Sequence, residues 1–222
     1  MGPSKQVPII VTGGAGFIGA NIVAALNERG HRNIIIVDRL GRGEKWKNLR
    51  GLQFEDFIDK DKFRDQVEHA AFKTPAAIIH MGACSATTEL DADYLMRNNT
   101  GYTRMLADWA LRENFRFITA SSAATYGDGS RGYCDDDEAT HGLSPLNMYG
   151  LSKHLFDEWA LARGHYKRIV GLKFFNVFGP REAHKDNMRS VPHKASRRGT
   201  FPSSALTVRL TATATKCAIS ST

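Results

Sequence analysis

The chain has 222 residues and is 42% hydrophobic, enough for one well-buried core and short for two full domains. No run approaches the roughly 20 apolar residues of a membrane helix, and residues 1–7 lack the basic-then-apolar pattern of a secretory signal. The net charge of +7 sits in the tail: residues 187–222 hold six Lys or Arg and no acid, leaving 24 basic against 23 acidic residues over 1–186. A basic tail on a near-neutral body is not the clustered phosphate footprint of nucleic-acid binding, so neither a nucleic-acid nor a membrane partner is expected. Cys84, Cys134 and Cys217 are widely spaced with no CxxC pair, which reads as reduced thiols in a cytoplasmic protein and no metal site.

In chain order, Val7–Thr12 reads as a buried strand and Gly19–Arg29 as a helix, joined by Thr12-Gly-Gly-Ala-Gly-Phe-Ile-Gly19. In this strand–loop–helix setting Gly13 permits a tight turn, Gly16 lets backbone approach a pyrophosphate, and Gly19 allows close helix–strand packing. The free N–H groups of the helix start then favour the phosphates. The strand Asn33–Val37 delivers Asp38 about 20 residues further on, where a carboxylate accepts hydrogen bonds from an adenosine ribose. Arg39 and Lys45 follow, and can instead neutralise a ribose 2′-phosphate. The loop therefore favours NADP, with NAD open.

The helix Asp61–Phe72, strand Ala76–Met81, helix Tyr94–Glu113, strand Arg116–Ala120, helix Pro145–Ala162 and strand Arg168–Phe175 continue the alternation. Near-continuous apolar strands between helices predict a Rossmann-type, doubly wound parallel α/β sheet. Strand Arg116–Ala120 runs into Ser121 and Ser122, placing hydroxyls at a strand's carboxyl end, where such sheets bind ligands. Further on, Tyr149-Gly-Leu-Ser-Lys153 puts Tyr and Lys on one helix face. A lysine ammonium beside a phenol is expected to lower its pKa and make a usable base, with Ser122 holding the reacting hydroxyl or carbonyl.

These motifs, with His80-Met-Gly-Ala-Cys-Ser-Ala-Thr-Thr-Glu89, Asn147–Lys153 and Phe174-Phe-Asn-Val-Phe-Gly-Pro-Arg-Glu-Ala-His-Lys185, resemble the extended short-chain dehydrogenase/reductase family. Within it they are similar to its ADP-heptose epimerase branch, from Ile9 to about His193. The resemblance implies inversion of the C6 hydroxyl of an ADP-linked heptose through transient oxidation by bound NADP, in lipopolysaccharide core synthesis. It implies two bases, Tyr149 and Lys185, with Ser122 assisting and Lys153 on the nicotinamide ribose. Phe17, Ile18, Lys60, Asn98 and Val177 map to cofactor contacts by the same likeness, as does the segment Met81, Gly82, Ala83, Cys84 and Ser85. Asn176, Asn187 and His193 map to the substrate side, and the full-length protein is implied to be a homo-oligomer. Two positions depart from the family's habit, Asn187 for Ser and Arg39 for Asn.

Residues 1–186 thus read as the dinucleotide-binding domain with its catalytic residues, and 187–222 as the remnant of a largely missing substrate lobe. Beyond residue 187 no period persists, which predicts a disordered tail. A sharper expectation is a frameshift after codon 193: with GC-rich codons, the nucleotides of TATKCAISST at Thr213–Thr222 encode DGDQMRDFVY in a neighbouring frame, and the family places such an RDFVY run in that lobe. Other readings are another nucleotide-sugar epimerase, a 4,6-dehydratase, and a non-catalytic cofactor-binding fragment. The dehydratase is disfavoured because Ala123-Ala124-Thr125 supplies no carboxylate beside Ser122.

Overall fold

The computed structural model describes residues 7–197 and the two-residue strand Thr213–Ala214. Strand β1 (Ile9–Thr12) leads into α1 (Phe17–Glu28), then β2 (Ile34–Asp38), β3 (Asp56–Asp59), α2 (Lys60–Glu68) and β4 (Ala77–His80). A helical stretch follows as α3 (Ala92–Leu95), a π-helical turn at Met96–Gly101 and α4 (Tyr102–Glu113). The chain continues through β5 (Arg116–Ser122), α5 (Asp137–Thr140), α6 (Met148–Ala162), β6 (Ile169–Phe174) and α7 (Val191–Arg197), with Thr213–Ala214 as β7.

The sheet order is β3-β2-β1-β4-β5-β6-β7. The first six strands are parallel, and β7 pairs antiparallel with β6. Order reverses between β1 and β4, so the crevice at their carboxyl ends is the switch point where doubly wound sheets bind ligands. Because alternate strand residues face opposite sides, Ile10 joins Phe63, Leu106, Trp109 and Phe156 under α2, α4 and α6, while Val11 packs with Val23 of α1 on the other face. Coverage of both faces explains the unbroken apolar runs of β1 and β2.

The expected doubly wound sheet is present, and several elements differ from the sequence reading. β3 escaped the sequence reading because Asp56-Phe57-Ile58-Asp59 offers only two apolar residues between acids; pairing with β2 supplies its stability. The helix expected over Tyr94–Glu113 is interrupted by the π turn, a feature frequent at functional sites. The loss of periodicity beyond Asn187 does not prevent α7, whose first turn is capped when His193 N–H donates to Ser190 Oγ at 3.2 Å. The expectations for residues 198–222, frameshift included, lie outside the described residues apart from β7.

Candidate active site

The glycine loop is fixed by backbone contacts. Gly13 N–H donates to Val37 O at 2.7 Å and Gly16 N–H to Gly13 O at 2.9 Å. Gly13 has φ +67°, and a Cβ there would lie 2.7 Å from Gly82 N; a Cβ on Gly19 would lie 2.2 Å from Gly13 O. Side chains at either position would collide with backbone, so the loop's close packing requires glycine at both. Helix α1 follows Gly16, which offers no side-chain cap, and has no acid in its first turn, leaving the positive end of its dipole for an anion.

A hollow of about 210 Å³ lies at the carboxyl ends of β1 and β2, lined by Gly13, Asp38, Arg39, Lys45, Lys60 and Asn98, among others. The Asp38 carboxylate accepts from Ala15 N–H at 2.9 Å, Arg39 N–H at 2.7 Å and Lys45 Nζ at 2.6 Å. The Arg39 guanidinium pairs with Asp61 of α2. Lys60 Nζ donates to Asn98 Oδ1 at 2.5 Å. A second hollow of about 440 Å³ continues over the glycine loop, lined by Gly16, Phe17, Ile18, Gly19 and the segment Met81–Ala83 with Ser85. The observed cradle, uncapped helix start and strand-end carboxylate fit a dinucleotide.

A third hollow, about 490 Å³, adjoins the second through Phe17, Ile18, Ser85, Lys185 and Met188, and is also lined by Ser122, Tyr149, Asn176 and Val177. Tyr149 enters from the first turn of α6, which Asn147 caps by accepting from Gly150 N–H at 2.8 Å. That turn packs on Ser122's: a Cβ on Gly150 would lie 2.7 Å from Ala124 O. Ser122 and Tyr149 line this hollow together, and the Ser122 hydroxyl accepts from Ala124 N–H at 3.1 Å.

The protonation expected of this pair needs correction. Burial raises the Tyr149 phenol above its ordinary value, and Ser122 pulls it back down. Lys153 is not what lowers it: its ammonium is buried and donates to Ala120 O at 2.8 Å. Burial brings Lys153 down to about 8, against the pull of Asp157.

Lys185 reaches the cleft from a 3-10 turn, Ala183–Met188, with Nζ 5.3 Å above the Phe17 ring. Burial lowers its pKa, and Glu182 raises it. Glu182, fully buried, accepts from Gly179 N–H at 3.1 Å, Ser190 N–H at 2.7 Å and Ser190 Oγ at 2.8 Å, closing the loop that carries Lys185.

Three expected residues stand apart from the hollows. Lys153 is buried and lines none of the three hollows. Cys84 is held by its backbone, giving its N–H to Asn99 Oδ1 at 2.9 Å and receiving Asn99 Nδ2 at 3.0 Å. His193 is half-buried, with Nδ1 3.9 Å from Glu182 Oε1. The Asn187 side chain lies outside the described residues. Among the described residues no group of three His, Cys, Asp or Glu converges as metal ligands, and no helix is long and apolar enough to cross a membrane.

Residues 9–200 match the model of the NAD dependent epimerase/dehydratase family. The chain belongs to that family. It is 56% identical over 187 residues to the ADP-L-glycero-D-manno-heptose-6-epimerase of Nitratidesulfovibrio vulgaris strain DP4, covering 84% of this chain and 58% of that protein. The protein of the same name from Fusobacterium nucleatum is 51% identical over 189 residues, 82% of this chain and 56% of its own length. Among solved structures, the Helicobacter pylori ADP-L-glycero-D-manno-heptose-6-epimerase superposes with a TM-score of 0.73 at 28% identity, covering 86% of this chain and 62% of that one. The UDP-glucuronic acid 4-epimerase of Bacillus cereus, in complex with NAD, gives 0.64 at 26% identity, over 81% and 60%. The chain thus spans less than two thirds of the length of these relatives.

This epimerase/dehydratase chain also uses residues that sequence reasoning passed over. Asn48 Nδ2 donates to Ala15 O at 3.0 Å and the Asn48 carbonyl accepts Arg181 Nη1 at 2.8 Å, tying the glycine loop to the Lys185 loop. Asn21 Nδ2 reaches Pro180 O at 2.9 Å from α1. Tyr94 and Tyr102 line the hollow beside Asp38. Only a buried polar identity next to a motif could have flagged them.

Proposed function

We propose that residues 1–186 are the dinucleotide-binding and catalytic half of an NADP-dependent ADP-L-glycero-D-manno-heptose 6-epimerase of lipopolysaccharide core synthesis, and that 187–222 are a remnant of its substrate lobe followed by out-of-frame sequence. The observation that carries this is the convergence of Ser122, Tyr149 and Lys185 on one cleft joined to the glycine cradle. The heptose epimerase names of the relatives at 56% and 51% identity support the substrate.

When bound, NADP supplies reversible two-electron chemistry at a carbinol carbon. Inversion needs a proton-transferring group on each face of that carbon. Tyr149 and Lys185 enter the cleft from different elements, α6 and the loop after β6, which suits one group per face. Ser122 lowers the pKa of the phenol and so favours its ionised form. Asp38, Arg39 and Lys45 hold the adenosine ribose, and the two cations beside the carboxylate favour NADP over NAD.

The test incubates the chain with NADP and ADP-D-glycero-D-manno-heptose, following the C6 epimer by NMR, with dinucleotide affinity from calorimetry. NADP binding is expected, and whatever conversion to the L-glycero epimer the chain retains without its substrate lobe should fall by about 10²–10⁴ in Tyr149→Phe and in Lys185→Ala. Failure of both dinucleotides to bind, or epimerisation at another carbon only, overturns the reading.

A further inference from the structure

Tyr149, Lys153 and Asp157 recur every fourth residue on α6 and therefore share one face of the helix. Tyr149 reaches the cleft, while Lys153 is 5% and Asp157 1% exposed. A buried ammonium or carboxylate is costly unless paired or hydrogen-bonded. Lys153 has Ala120 O at 2.8 Å. The Asp157 carboxylate accepts Ser121 Oγ at 2.6 Å and Tyr166 Oη at 2.7 Å. The two contacts to β5 flank one another: the carbonyl that receives Lys153 belongs to the residue before Ser121, and Ser121 precedes Ser122.

We propose that Asp157 is the positioning residue for Lys153, holding its ammonium charged on the Ala120 carbonyl while Ser121 locks the helix to the strand that presents Ser122. The inference rests on the reading of Lys153 as part of the proposed dinucleotide site. Asp157 acts through space across one helical turn, opposing the loss of charge that burial imposes on Lys153. Its own carboxyl is pushed up by burial and held down by Ser121, Tyr166, Lys173 and Lys153.

The other groups around the pair are few. Lys173 of β6 lies 4.6 Å over the Tyr126 ring and 3.4 Å from Thr140 Oγ1, and shares a small hollow with Asp157, Asp135 and Asp137. His154 and Glu158 neighbour Asp157 on α6, as close as 3.7 Å to each other. His80 of β4 faces Lys153 and is kept neutral by burial and by that lysine's charge.

The experiment titrates the lysine side-chain carbons by NMR in ¹³C-lysine protein, with Lys153 assigned from Lys153→Met. In the wild type its midpoint is expected near 8. In Asp157→Asn the acid dissociation constant of Lys153 should rise about tenfold or more. An unchanged midpoint in folded Asp157→Asn, even with lowered thermal stability, shows a merely structural role and overturns the proposal. Should that variant not fold, the Asp157 carboxyl carbon in wild-type protein should show an inflection at the Lys153 midpoint that Lys153→Met abolishes; a trace without it overturns the proposal equally. NADP calorimetry on the same wild-type sample separates the two readings. Coupling without NADP binding removes the function and leaves the inference, and NADP binding without coupling does the reverse.

Discussion

Ser190 gives both its backbone N–H and its hydroxyl to the Glu182 carboxylate, at 2.7 and 2.8 Å, and so closes an eight-residue span around Lys185. Gly179 N–H adds a third bond at 3.1 Å to a carboxylate with no exposure. Glu182→Ala leaves these donors unsatisfied, and should lower stability by roughly 2–4 kcal/mol. It should also raise amide exchange between Gly179 and Ser190 well above that of β5. Denaturant unfolding and hydrogen exchange measure both. An unaltered exchange pattern would show that the loop is held by Asn21 and Asn48 instead.

Gly13 combines a positive φ with close approach to Gly82, whereas Gly30 has φ +84° and nothing within 4 Å of an added Cβ. The pair separates strain from crowding. Gly30→Ala should cost about 1–2 kcal/mol from backbone conformation alone. Gly13→Ala should cost about 1–3 kcal/mol more from overpacking, and only it should weaken dinucleotide binding. Equal losses in unfolding and calorimetry for the two variants would refute the crowding argument.

His80 is wholly inside the sheet, with Nδ1 2.6 Å from Thr12 Oγ1 and Nε2 3.0 Å from Thr103 Oγ1. Because the Thr103 hydroxyl donates to Asn99 O at 2.5 Å, it accepts from Nε2–H, and Nδ1 accepts from Thr12. Burial first, then the Lys153 charge, push His80 down to about 3 from 6.5. The folded value lies below the unfolded one, so the unfolded chain binds more protons in between. Stability is therefore complete above the unfolded value and is lost as pH falls toward the folded one, with a ceiling of roughly 3–5 kcal/mol. Urea unfolding between about pH 7 and pH 5 should show this slope, and His80→Asn should flatten it.

How far the sequence could be read depended on distance along the chain. Gly13, Gly16 and Gly19 stand within one turn and its helix, and Tyr149 and Lys153 within one helical turn, so local geometry alone brings each set together. Asn48 acts on Ala15 and Arg181, 33 and 133 residues away, and Asn99 on Cys84, 15 residues back. No local pattern encodes such contacts. Lys185 looked like one lysine in a polar loop apart from family resemblance; its place in the cleft depends on Glu182 and on the Phe17 ring of α1. The protonation of Tyr149 was misjudged because helical spacing reports which face a lysine shares, and not that Ala120 O takes its ammonium.

The Ser122 hydroxyl pulls the Tyr149 phenol down against burial. Ser122→Ala should therefore raise the phenol midpoint and move any phenolate-dependent activity to higher pH. Phenolate absorbance, taken as a difference from Tyr149→Phe, reads the midpoint directly. A lowered midpoint in Ser122→Ala would mean that Ser122 stabilises the neutral phenol, and Tyr149 could not then be favoured as a base by this contact.

Arg39 stands at the rim of the hollow beside Asp38 with its guanidinium paired to Asp61, both side chains more than half exposed. A ribose 2′-phosphate there would compete with Asp61 for the same cation. An exposed ion pair is worth little, whereas an arginine–phosphate contact can be bidentate and stronger. Arg39→Ala should therefore weaken NADP by about tenfold or more while changing NAD by less than about threefold, and Asp61→Asn should strengthen NADP by releasing the guanidinium. Calorimetric affinities for both dinucleotides on the three proteins decide it. Equal loss of NAD and NADP in Arg39→Ala would make Arg39 a support for the loop rather than a phosphate ligand, and would leave Lys45, 2.6 Å from Asp38, as the residue to test for the 2′-phosphate.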